Sequence, residues 1–179
     1  MLRDGQNRPL AARGATPFSR FIAAEWPPGR PITARPLKLA VAVSNPVDLA
    51  DYGLTVLDEG EEWALLETAV GGLAVELIRL PPPCTLSAIE AAIQAGCHLL
   101  HFVGHGRFSQ RRGQAMLYLA DEANQVALTT GEAFAAMVDR QLATGGPEAA
   151  LRLIFLASCQ TAAQAPADSF SGLAPQAFS

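Results

Sequence analysis

With 179 residues, half of them hydrophobic and 17% charged, the chain has room for one core and too much apolar content for a disordered segment. Its longest apolar runs are strand-sized, far below the roughly 20 residues that span a bilayer, and the first 30 residues lack the apolar stretch of a secretory signal. The formal charge of −4 is uneven: residues 1–40 hold six Arg and one Lys against Asp4 and Glu25, leaving the remainder near −9.

Residues 1–36 lack sustained periodicity and carry breakers such as Trp26-Pro27-Pro28-Gly29, so they read as an irregular basic leader, solvated or hugging the domain. Without regular basic spacing or interleaved stacking aromatics it is not read as a nucleic-acid arm. From Leu37 the pattern changes. Leu37–Ser44 (LKLAVAVS) reads as a buried strand stopped by Asn45-Pro46. Asp58–Val70 has acids in its first turn and Trp63, Leu66 and Val70 at helical spacing, with Gly71-Gly72 closing it. Leu73–Leu80 predicts a second strand ended by Pro81-Pro82-Pro83, and Thr85–Ala95 a helix capped by Thr85 or Ser87 and stopped by Gly96. Cys97–Val103 predicts a third strand.

Ala115–Ala120 and Gln125–Leu128, separated by Asp121–Asn124, read as a β-hairpin inserted after the third strand. Thr130–Leu142 places Phe134, Val138 and Leu142 on one helical face, Leu151–Ala157 is the fourth principal strand, and a further helix begins near Asp168 or Ser169. Strands alternating with helices, each strand apolar throughout, predict an open parallel sheet covered on both faces. Right-handed crossovers favour the strand order 2-1-3-4, with the functional crevice beyond the carboxyl ends of the third and fourth strands.

Two segments leave those ends: His101-Phe102-Val103-Gly104-His105-Gly106 and Ala157-Ser158-Cys159-Gln160. Parallel neighbours are about 4.8 Å apart, so His105 and Cys159 fall within or near hydrogen-bonding reach. Each alone has an ordinary reading, a loop His in a Gly turn and a small buried thiol. Together they form the one nucleophile and base pair at these ends, and the amides of Gly106 and Cys159 can donate to a developing oxyanion. His101 reads as a packed or hydrogen-bonded residue behind the site, and His98 points to the opposite face. Cys97, His98, His101 and His105 cannot converge on one metal ion, because successive strand residues alternate faces. Gly104-His105-Gly106-Arg107-Phe108-Ser109 lacks the third glycine of a dinucleotide fingerprint and is followed by a hairpin. No GxxxxGK[ST] or GxSxG string occurs. Asp48 and Asp51 read as solvated loop carboxylates. Cys84, Cys97 and Cys159 form no CxxC pair, which points to a reducing, cytoplasmic setting.

At HFVGHG and FLASCQTA, with the trailing Asp168-Ser169-Phe170-Ser171-Gly172-Leu173-Ala174, the sequence resembles the CHAT domain, a family of caspase-like cysteine peptidases associated with TPR repeats and related to caspases and separases. PLKLAVAVSNPVDLADYGL and LYLADEANQVALT extend the resemblance over most of residues 15–179. It implies a caspase-like three-layer α/β sandwich, with Cys159 as nucleophile, His105 as general base and acid, and Gly106 and Cys159 as oxyanion donors. The implied substrate is a protein or peptide, with no cofactor, nucleic acid or membrane, and Asp168 is a candidate substrate contact besides its reading as an N-cap. Because the family continues beyond the helix near Ser169, the resemblance implies a domain from residue 37 to 179 that lacks its C-terminal part. That leaves activity of the isolated chain a separate question, and leaves the fourth strand an edge for self-association. TPR or other regulatory domains are the expected partners within the parent protein. The rival expectation is a noncatalytic caspase-like module for interaction or regulation.

Overall fold

Leu37–Val43 (β1) is the central strand that its aliphatic run predicts, hydrogen-bonded in parallel on both sides in the computed structural model, which describes residues 31–109, 111, 113–145 and 150–158. The leader before residue 31, Cys159, Asp168 and the expected helix near Ser169 lie outside the described residues. After β1 come a 3-10 turn (Leu49–Tyr52), α1 (Glu59–Val70), β2 (Val75–Arg79), α2 (Leu86–Gln94) and β3 (Leu99–Val103). Three short strands follow, β4 (Gly106–Ser109), β5 (Gln114–Ala120) and β6 (Val126–Thr130), then α3 (Gly131–Gly145) and β7 (Leu153–Ala157).

The helix starts are encoded locally. Asp58 caps α1, its Oδ1 accepting from the amides of Gly60 and Glu61 at 3.0 Å each. Thr85 caps α2, its Oγ1 accepting from the Ala88 amide at 3.0 Å. Each satisfies amides that the first helical turn leaves without partners.

The parallel sheet runs β2-β1-β3-β7, the expected order. Its register fixes two faces, because paired residues of parallel strands point the same way. Ala40, Ala42, Leu100 and Phe102, with Ile154 and Leu156, meet Ile89 and Ile93 of α2 and Phe134, Met137 and Val138 of α3. Leu100, Phe102, Ile89 and Phe134 are fully buried, each contributing about 1.5–3 kcal/mol of apolar transfer. The other face carries the row Arg79, Val41, His101 and Phe155. Arg79 joins that row to α1 through an ion pair to Glu59 (2.7 Å) and a guanidinium 5.6 Å from the Trp63 ring centre. Helices on opposite faces of the sheet make the three layers.

The expected hairpin gains a strand, and one expectation is corrected. The inserted hairpin is a three-stranded antiparallel sheet, β4-β5-β6, because Gly106–Ser109 also pairs with β5. Phe108 on β4 packs against the core while Arg107 is exposed, a two-residue alternation too short to stand out. Among the described residues the edge strand β7 is the thinly covered one: Leu153 and Phe155 are 52% and 58% exposed, and α1 buries none of its own residues fully. Asp48 is no solvated carboxylate, since its Oδ1 accepts from the Val126 amide at 2.7 Å and ties the loop after β1 to β6. Among the described residues, no helix is long and apolar enough to cross a membrane.

Candidate active site

Past its last ladder pair, Val103 with Ala157, β3 stays joined to β7 through the Gly104 amide, which donates to the Ala157 carbonyl at 3.2 Å. His105 is thus two residues beyond Val103, and in the sequence Cys159 is two beyond Ala157. Gly104 has no room for a side chain, because a Cβ there would run into the buried Phe102 ring. The chain therefore leaves β3 close against the core.

The His105 backbone is held from the antiparallel sheet, its carbonyl accepting from the Tyr118 amide at 3.0 Å. Tyr118 is tied back to β1 in turn: Ser44 Oγ, fully buried, donates to the Tyr118 carbonyl at 2.7 Å, and the Ser44 amide donates to the Val103 carbonyl at 2.8 Å. These bonds lock the end of β1, the end of β3 and the middle of β5 into one unit. The Tyr118 bond also sets the phase of the β4–β5 ladder. Residues next to a hydrogen-bonded antiparallel pair aim their amides away from the partner strand. Gly106, opposite Leu117 and adjacent to that pair, accordingly directs its N–H off the outer edge of β4.

The half-buried His105 ring is fixed by a group that sequence reading missed. Its Nε2 lies 2.7 Å from the Thr55 carbonyl oxygen. A carbonyl only accepts, so Nε2 carries the proton of this bond and the neutral ring keeps its lone pair on Nδ1. Thr55 is presented by a loop that Asn45 brackets: Asn45 Nδ2 donates to the Leu57 carbonyl (3.1 Å), and the Leu57 amide donates to Asn45 Oδ1 (3.0 Å). Asn45-Pro46 was legible as a strand stop, but the amide's second use as a loop clamp carried no local signal. Aromatic groups flank this end of the sheet. Tyr52 meets Tyr118 edge to face at 5.7 Å, and the Arg107 guanidinium sits 5.8 Å from the Tyr118 ring centre.

The other histidines are occupied elsewhere. His98 Nδ1 accepts from the Lys38 amide at 2.8 Å. His101, on the α1 face, stacks on Phe155 with ring centres 5.5 Å apart and planes 16° from parallel. Burial lowers its pKa below the ordinary histidine value, partly opposed by the charge of Glu62. Cys84 and Cys97 are buried; burial, with the nearby charge of Glu59, pushes the Cys84 thiol up to about 12, and burial pushes Cys97 up to about 11 against a lowering backbone hydrogen bond. Both remain thiols near neutral pH, which is poor chemistry for a nucleophile. Among the described residues, no three His, Cys, Asp or Glu side chains gather as a metal site would need.

The sequence-predicted residues therefore divide. His105 and Gly106 stand together at the carboxyl end of the sheet, and Cys159 and Asp168 lie outside the described residues. A search of curated proteins finds no match to the chain. The family model of the CHAT domain matches residues 1–179. With that match spanning the whole sequence, and with the parallel sheet and the histidine at its carboxyl end behind it, the chain belongs to the CHAT-domain family, which is related to the caspase-like peptidases.

Proposed function

We propose that this chain is a cysteine endopeptidase domain acting on peptide bonds in proteins, with Cys159 as nucleophile and His105 as general base and acid. The observation that carries the reading is the β3–β7 register, in which Val103 pairs with Ala157. In the sequence His105 follows Val103, and Cys159 follows Ala157, by the same two residues. The burial of Cys84 and Cys97 supports it by elimination.

In this reading His105 Nδ1 takes the Cys159 proton while the Thr55 carbonyl holds the ring by Nε2. The thiolate adds to the scissile carbonyl carbon, and the Gly106 and Cys159 amides receive the oxyanion. Collapse breaks the C–N bond, the leaving amine takes the proton from His105, and a thioester remains. Water, giving its proton to His105, then hydrolyses the thioester and restores the thiol. No cofactor enters these steps. Regulatory domains such as TPR repeats in a parent protein are the partners the family resemblance supports, and the reading carries with it a reducing, cytoplasmic setting.

The test is covalent labelling with an electrophilic peptide probe. Within its full-length parent the chain should be labelled at Cys159, Cys159→Ala should abolish labelling, and His105→Ala should slow it by about 100-fold or more. Labelling that is equal in Cys159→Ala, or that appears at Cys84 or Cys97, defeats the proposal.

A further inference from the structure

Phe108, Ala115, Leu117 and Leu119 turn one face of the antiparallel sheet to the core, so Arg107, Met116 and Tyr118 share the other. There the Arg107 guanidinium lies 5.8 Å from the Tyr118 ring centre, and its Nη2 donates to Met116 Sδ at 3.9 Å. Met116 and Tyr118 are both buried, and Tyr52 braces the Tyr118 ring from another side, so the exposed cation rests on a fixed support. Sulfur is a weak acceptor, which leaves the planar N–H fork oriented and available. Its charge is unanswered as well: Arg79 and Arg140 pair with Glu59 and Glu90, whereas Arg107 meets no carboxylate among the described residues. Three of the six basic residues after position 40 fall between residues 107 and 112, and residues 98–120 contain no Asp or Glu, although the chain beyond residue 40 is near −9 overall.

We propose that Arg107 reads an acidic side chain of the substrate, Asp or Glu, among the first three residues on the amine side of the bond that is cut. The inference rests on the endopeptidase reading. There His105 gives its proton to the leaving amine, so the part of the substrate that follows the bond departs from beside His105, while the oxyanion sits off the outer edge of β4 at the Gly106 amide. The chain is joined to β7 at Gly104 and to β5 at His105, which places Arg107, two residues past His105 on β4, on the side away from β7. Extended chains advance about 3.3 Å per residue, so a peptide departing from His105 along β4 brings its first three residues past the guanidinium. A carboxylate there gains paired N–H···O bonds from a fork already in position. A phosphate backbone is the poorer match, since three arginines on a body this acidic would repel a polyanion along most of its length.

The test is digestion of a proteome-derived peptide library by the full-length parent, with the new amino termini read by mass spectrometry. Those termini begin at the residue after the cut and so report this side alone. Asp and Glu should be enriched about tenfold over Lys and Arg at one of the first three positions, the ratio expected of one charge-assisted pair. Arg107→Gln should abolish the enrichment, Arg107→Glu should turn it towards Lys and Arg, and Arg107→Lys, which keeps the charge and loses the fork, should retain part of it. Added salt should flatten the preference, because an exposed pair is screened. An arginine that merely supports Tyr118 and His105 would affect every peptide alike, so slowed cleavage with unchanged enrichment in Arg107→Gln overturns the proposal. A parent that cuts with no acidic preference at these positions overturns it too, and leaves the endopeptidase reading standing. That reading fails separately when no new termini depend on Cys159, and the inference falls with it. If a single-stranded RNA oligonucleotide blocks cleavage in about 0.15 M salt and Arg107→Gln relieves the block, Arg107 reads phosphate and the proposal is overturned.

Discussion

The Nε2 of His105 is 2.7 Å from the carbonyl oxygen of Thr55, fifty residues earlier in the chain. The bond makes ring orientation depend on the loop between the 3-10 turn and α1, and that loop depends on Asn45. Asn45→Ala removes both bonds to Leu57 and should cost about 1–2 kcal/mol. The expected functional effect is larger than the stability loss explains: Cys159 labelling by the peptide probe should slow by about tenfold or more, with an altered pH profile as the ring loses its fixed tautomer. Thr85→Ala, which uncaps α2 at a similar cost of about 1 kcal/mol, is the control. Equal slowing in both variants means that Asn45 acts only on stability and that the loop does not position the ring.

Gly104→Ala forces a Cβ into the Phe102 ring, and Phe102 is fully buried among α2, α3 and β5 residues and cannot swing aside freely. The expected loss is about 1–3 kcal/mol, read as a fall in the denaturation midpoint with an unchanged denaturant slope. Phe102→Leu is destabilising alone because it opens a cavity, yet in combination it gives the new methyl space. The double variant should therefore be less destabilised than the sum of the singles. Simple additivity would mean that the crowding is not what demands glycine at this position.

Asp48→Ala leaves the Val126 amide without its 2.7 Å acceptor, 78 residues away in sequence. The predicted cost is about 1–2 kcal/mol, with faster hydrogen exchange at Val126 and at Val47, whose amide donates to the Asn124 carbonyl across the same junction. Unchanged exchange at both amides would show that the loop after β1 is held on β6 by other contacts.

What the sequence reveals about this molecule, and what it conceals, follows from how local each cause is. Asp58 and Thr85 announce their helices because cap and helix are adjacent. The order β2-β1-β3-β7 follows from alternating elements and handed crossovers. His105 stood out because glycines flank it at a strand end. Thr55 was silent because it works through its backbone carbonyl, which any residue would supply, and because the partner is fifty positions away. Asp48 was misread for the same reason, its acceptor role depending on a distant amide. The helical stripe Trp63, Leu66, Val70 was legible, but all three are only half-buried, since the extent of their cover depends on what else lies on that face.

The buried thiols and His101 set opposite limits on stability against pH. The folded-state pKa of Cys84, about 12, and of Cys97, about 11, lie above the ordinary value of 9.0. The unfolded chain therefore releases these protons first, and stability present below pH 9.0 is lost as pH rises through 9.0 towards the folded values. His101 is shifted the other way. Its lowered folded value means the unfolded state binds the proton more readily, so stability present above 6.5 is lost as pH falls below it. Denaturation midpoints should thus decline on both sides of neutrality. Cys84→Ala with Cys97→Ala should flatten the alkaline limb, although both lower the plateau by leaving cavities. His101→Phe should flatten the acid limb and keep its stack on Phe155. Iodoacetamide at pH 8 should leave Cys84 and Cys97 unmodified in the folded chain and react with both after unfolding. Rapid native-state modification of either would show that its site opens without global unfolding.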